Sequence, residues 1–214
     1  MHLVRVARAS IALGLAGLAC SCATSVPLST QSTSAIKSVS VAETVRMPDS
    51  RSWGHMGPTG CLSSLDPDLT MAVRQMTSDL GQITREWFEV EVRKAAIFPS
   101  VLAAGGEAEF ELALKGVVLM HAGGYGGSVG DFFKLWEVCQ APTKPFLAVQ
   151  ATLRKADGSI LWQKSEAVDI FSTKTARRPF SDYSSNPDLI RQDFTEAAEI
   201  VVEALVRDMV QNRR

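Results

Sequence analysis

Beyond its first twenty residues the chain has no apolar run near the roughly 20 residues that a bilayer-spanning helix needs, and neither sign of charge is in clear excess. Only three histidines and four cysteines occur in 214 residues. In the folded part none of them stands at a ligand spacing such as Cys-x-x-Cys or His-x-x-x-His, which argues against a structural zinc site. The 22 basic and 23 acidic side chains nearly cancel. Nucleic acid is therefore a poor partner, because phosphate binding needs clustered basic surface. The short basic group Lys174, Arg177 and Arg178 reads as a solvated loop.

What the chain does have begins at its N-terminus. Arg5 and Arg8 form a positive region, and Ile11 to Ala19 a short apolar one ending in a small residue, the layout of a cleavable secretory signal over residues 1–19. Gly17-Leu18-Ala19-Cys20 resembles a bacterial lipobox, which makes Cys20 the expected lipid-attachment residue, the acceptor of palmitate-type acylation. Cys22 stands as a second acceptor, and an ordinary signal peptide with an incidental cysteine is the plain alternative. By the same resemblance, Ser21 after the anchor implies sorting to the outer membrane, facing the periplasm. Residues 20–34 are the anchor and linker: eight of the fourteen from Ser21 to Ser34 are Ser or Thr and none is charged. Such a composition predicts a disordered tether, reaching at most about 50 Å at 3.3–3.6 Å per residue.

Residues 35–214 suffice for a single domain with a substantial core. Without Arg5 and Arg8 the balance is 20 basic against 23 acidic residues, a formal charge of −3. Cys61 and Cys139 are the cysteines of this domain, and export to an oxidising compartment makes them candidates for a disulfide. A loop of about 79 residues would gain at most about 4.5 kcal/mol from the bond. Two separate buried thiols remain the alternative.

Along the domain, Val39 and Val41 alternate with Ser38 and Ser40 as in a half-buried strand. Met47 to Ser64 reads as a loop packed down by Trp53. Asp66-Pro67-Asp68 opens a helix whose stripe is Leu69, Val73, Met76, Leu80, Ile83, Trp87 and Val90, ending before Pro99. Ala108, Phe110, Leu112 and Leu114 alternate with Glu109, Glu111, Ala113 and Lys115, a strand with one wet face, and Val117 to His121 extends it or starts the next. Asp157-Gly158 between Phe146 to Leu153 and Ser159 to Gln163 marks a hairpin. After Asn186-Pro187-Asp188, a second stripe runs through Ile190, Phe194, Ala197, Val201, Leu205 and Met209, with Glu203 and Arg207 paired on the other face. The predicted fold is α+β: a single, mainly antiparallel sheet with two long amphipathic helices on one face.

Few residues invite chemistry. Gly126-Gly127-Ser128-Val129-Gly130 matches the nucleophile elbow of α/β-hydrolases, but His2, His55 and His121 all precede Ser128 and the repeated βα units are missing. The same glycines lack the lysine of a phosphate loop and the spacing of a dinucleotide fingerprint. His55, His121, Cys61 and Cys139 assemble into a two-His, two-Cys zinc site only on paper. Glu109 and Glu111 read as a solvated pair rather than a general acid and base.

The order of elements resembles a group of small envelope lipoproteins with a TolB N-terminal or anticodon-binding-like α/β domain, the CsgG, LpoB and PelC-like group. The resemblance is carried by the strand after a tether, the helix running into Ala95-Ala96-Ile97-Phe98-Pro99-Ser100-Val101, the strand Ala108 to Gly116, the Asp157-Gly158 hairpin and the helix after Asn186-Pro187. It implies a membrane-tethered, non-enzymatic accessory or binding lipoprotein that needs no cofactor and acts on another envelope protein, with self-association into a ring or dimer left open. A serine hydrolase using Ser128, or a small-molecule or metal carrier using the Gly-rich loop 123–130 and His121, are the rival classes.

Overall fold

The computed structural model describes residues 25–29, 34–48, 53–56, 67–121, 143–168, 175 and 178–211, without the side chains at 53–56, 121 and 180. Strands β1 (Ser38–Val41), β2 (Trp53–Met56), β3 (Ser100–Leu102), β4 (Ala108–His121), β5 (Thr143–Lys155) and β6 (Ile160–Val168) form one sheet. Its order is β3-β1-β4-β5-β6, with β2 also beside β4. Helices α1 (Pro67–Ala95) and α3 (Asp188–Gln211) pack against each other and against the sheet, and a short α2 (Phe180–Ser185) precedes α3. This is the expected α+β architecture. None of the described helices is long and apolar enough to cross a membrane.

The long ladders β4·β5 and β5·β6 are antiparallel, whereas β1 runs parallel to both β3 and β4, and β2 parallel to β4. A mixed sheet results, because α1 carries the chain back across the sheet between β2 and β3 and so returns it in the same direction. The stretch expected as a loop around Trp53 contains β2, and Ser100–Leu102, expected only as the run-out of the helix, is an edge strand. Neither carries a clear apolar alternation, since Trp53-Gly54-His55-Met56 has its apolar residues at the two ends and Ser100–Leu102 has only three residues.

Apolar residues on one face of each strand meet the helices. Phe110 on β4 lies at the centre, with Phe88 of α1 at 5.1 Å, Phe98 at 5.9 Å and Trp162 of β6 at 6.2 Å, all edge to face. A bulge between Leu114 and Gly116 resets β4 so that Val117 and Leu119 return to the core face. The six expected stripe residues of α3 are all buried. In α1 the stripe holds only to Leu80, after which Thr84, Phe88 and Val92 are buried while Val90 is 42% exposed. Thr77 and Thr84 donate to the carbonyls of Val73 and Leu80, each at 2.7 Å, so their hydroxyls enter the core already satisfied.

The composition of residues 21–34 predicts a free tether, but its middle is packed against the domain. Val26 pairs with Gln163 on the outer edge of β6, and Leu28 is 1% exposed within the core. Arg178 is another departure from the sequence reading: it is not in a solvated loop but forms a two-pronged ion pair with buried Asp193, at 2.7 and 2.9 Å. Tyr183 donates to the same carboxylate at 2.7 Å. Burial, and then this bond, push the Tyr183 hydroxyl well above the ordinary tyrosine range.

Candidate functional site

The helix-free face of the sheet holds a hollow of about 390 Å³ lined by Thr44, Arg46, Glu111, Leu112, Ala113, Gln150, Thr152, Arg154 and Gln163. Its floor follows from the ladder register. Glu111, Thr152 and Gln163 are cross-strand neighbours in one row, and Ala113 stands opposite Gln150 in the next. The methyl of Ala113 and the short side chain of Thr152 leave the space that longer side chains would fill.

One wall is the segment between β1 and β2. Arg46 N–H donates to Leu112 O at 2.9 Å and Leu114 N–H donates to Arg46 O at 2.8 Å, which locks this segment beside Ala113. Alternation then puts Val45 in the core and Thr44 and Arg46 on the hollow. At the other end Arg154 Nε donates to Glu111 Oε1 at 3.1 Å and Arg154 Nη1 donates to Gly158 O at 2.9 Å. This pair is about one-third exposed on each side, so it orients the guanidinium more than it stabilises the fold.

Among the described residues the Arg46 guanidinium has neither ion-pair nor hydrogen-bond partner, and the same holds for the carboxamides of Gln150 and Gln163. The lining therefore carries two positive charges and one negative one. It offers donors and acceptors side by side, with no nucleophile beside a base.

Of the residues singled out from sequence, Cys20, Cys22, Cys61, Cys139 and Ser128 lie outside the described residues. His55 stands opposite Leu119 on β4, and His121 is two positions further along the same strand, opposite Thr143. The backbone thus brings the two histidine positions to one end of the sheet. Among the described residues no three His, Cys, Asp or Glu side chains form a metal-holding group. Met56 and Lys144 both stand opposite Met120, about 10 Å apart across two strand spacings. Cys61 follows Met56 by five residues and Cys139 precedes Lys144 by five. Glu109 accepts from Ser40 Oγ at 3.4 Å while Glu111 holds Arg154, so the two acids serve different partners.

The sequence reading missed Arg46, Gln150, Thr152, Arg154 and Gln163 as a group. Polar residues alternating with Val149, Ala151 and Leu153 were the available signal on β5. Nothing local signals Arg46, which reaches the hollow through its tertiary pairing with β4.

No protein-family model matches the chain, and no curated protein matches it. Among solved structures it is similar to a DUF330 protein of Xanthomonas campestris, with 13% identity, a TM-score of 0.45 and coverage of 81% of this chain and 83% of that one. It is also similar to a PelC dodecamer from Paraburkholderia phytofirmans, with 12% identity, a TM-score of 0.38 and coverage of 89% and 95%. PelC from the same organism in another crystal form gives 12%, 0.31, 83% and 89%. Likeness at these levels assigns neither a family nor a function to the chain.

Proposed function

We propose that the protein is a membrane-tethered, non-enzymatic accessory lipoprotein of the bacterial cell envelope, anchored through Cys20 in the outer membrane and facing the periplasm. It acts by binding another envelope protein during envelope assembly or export. The observation that supports this reading most is the pairing of Val26 with Gln163, together with the burial of Leu28. The outer edge of β6 takes an added extended segment, which is how sheet-edge recognition works between proteins as well as within one. Attachment to one membrane raises the effective concentration at a nearby partner without any catalytic group.

Crosslinking in intact cells, followed by capture through a C-terminal tag, tests the reading. A specific envelope protein or a second copy of the chain is the expected product. If only monomer is recovered, while the purified protein hydrolyses an ester or peptide and Ser128→Ala abolishes the turnover, the protein is a serine hydrolase instead.

A further inference from the structure

The hollow on the helix-free face is open on the side away from the helices, and its charge is unbalanced. Glu111 is engaged by Arg154, which leaves the Arg46 guanidinium as the uncompensated charge among the described residues. A guanidinium presents a planar fork of donors that matches a carboxylate in two parallel hydrogen bonds. The carboxamides of Gln150 and Gln163 each offer both a donor and an acceptor, the complement of a peptide group. A volume of about 390 Å³ holds a short run of residues rather than a single ion.

We infer that this hollow is the docking site for an acidic, extended segment of a partner protein, with a Glu or Asp carboxylate on Arg46 and the neighbouring peptide groups on Gln150 and Gln163. The inference rests on the reading of the protein as one that binds other proteins, and it names the partner's chemistry. A carboxylate fits better than a phosphate. A phosphate group brings nearly two negative charges against Glu111 in the same hollow, whereas one carboxylate is balanced by Arg46 alone. The amides would also find no donor on a phosphate to accept from.

The test uses the full mature protein in detergent and a blocked peptide of sequence Gly-Asp-Glu-Gly, titrated by calorimetry or fluorescence anisotropy. The acidic peptide binds, its Asn/Gln counterpart binds at least tenfold more weakly, and affinity falls as salt rises. Arg46→Gln weakens the acidic peptide at least tenfold. Lys94→Gln removes the same charge from an exposed site at the end of α1 and leaves binding unchanged. Arg46 joins the fold through its backbone, so Arg46→Gln keeps its unfolding midpoint; Gln150→Ala is the second variant, with a loss of a few fold. Equal binding of the two peptides, an undiminished affinity in Arg46→Gln, or stronger competition by inorganic phosphate than by the acidic peptide overturns the inference. Cell crosslinking separates it from the broader reading. A partner captured equally by wild type and Arg46→Gln removes the hollow but keeps protein binding, whereas peptide binding without any captured partner removes the broader reading.

Discussion

Val26 and Gln163 exchange both backbone hydrogen bonds, Val26 N–H donating at 2.9 Å and Gln163 N–H at 3.0 Å, as an antiparallel hydrogen-bonded pair does. This pairing changes the geometry of the tether. Val26 is six positions after Cys20, a reach of about 20 Å at most, against about 50 Å for a linker free to Ser34. With a lipid on Cys20, as proposed, the β6 edge would lie near the membrane. Burying Leu28 contributes about 1.5–3 kcal/mol to holding the strap on the domain.

Leu28→Asp should release the strap, since a carboxylate cannot enter that part of the core unpaired. Amide exchange at Val26 and Gln163 should then accelerate at least tenfold, and protease should cut within 25–29. Unchanged exchange at both amides would show that Leu28 does not hold the strap.

Tyr183 and Asp193 predict an alkaline loss of stability. The folded-state pKa of Tyr183 is raised, first by burial and then by its bond to Asp193. Its contribution is therefore complete below the unfolded value near 10 and is lost as pH rises from there toward the folded pKa. Tyr183→Phe should cost about 1.5–3 kcal/mol at neutral pH and flatten the decline measured by urea unfolding between about pH 9 and 11. Lys164, raised by its hydrogen bond to Asp208, gives a smaller decline of the same sign. The slope in the variant should therefore be reduced rather than abolished.

Two glycines should respond in opposite ways. A Cβ on Gly106 would lie 2.5 Å from Val39 C and 2.6 Å from Ser40 N, backbone that cannot swing aside. Gly106→Ala should therefore destabilise by about 1–3 kcal/mol. At Gly81 the tightest contact is the tip of the Met47 side chain at 2.8 Å, and alanine improves helix propensity by about 1 kcal/mol. Gly81→Ala should stay near wild type, and equal losses at the two sites would refute this account.

Lipidation at Cys20 is expected from the signal and from the small residue before it. Cys20→Ala should accumulate unprocessed or lose a metabolic lipid label. Full labelling in that variant would move the anchor to Cys22.

A Cys61 to Cys139 disulfide is proposed because these are the two cysteines of the domain that follows the linker, in a chain read as exported to an oxidising compartment. Mass spectrometry of unreduced peptides should find them joined. Free alkylation of both thiols in the native protein would exclude the bond.

Periodicity alone determined α3, the first half of α1, the alternation of β4 and the Asp157-Gly158 hairpin, because each is long or has a turn that only a few residues permit. Gly158 has φ +87°, and Asp157 Oδ1 accepts from Ser159 N–H at 2.9 Å. The tertiary structure decided the rest. Strands twist relative to one another, so the surface under α1 turns along its length and fully buries Thr84, Phe88 and Val92, while Ile83 and Trp87 are only half-buried and Val90 is exposed. The docking of Leu28, the parallel pairing of β1, β2 and β3 and the position of Arg46 depend on partners 60 or more residues away. No local pattern encodes a contact of that kind, because the short segment that makes it gains its burial and hydrogen bonds only after the sheet has formed.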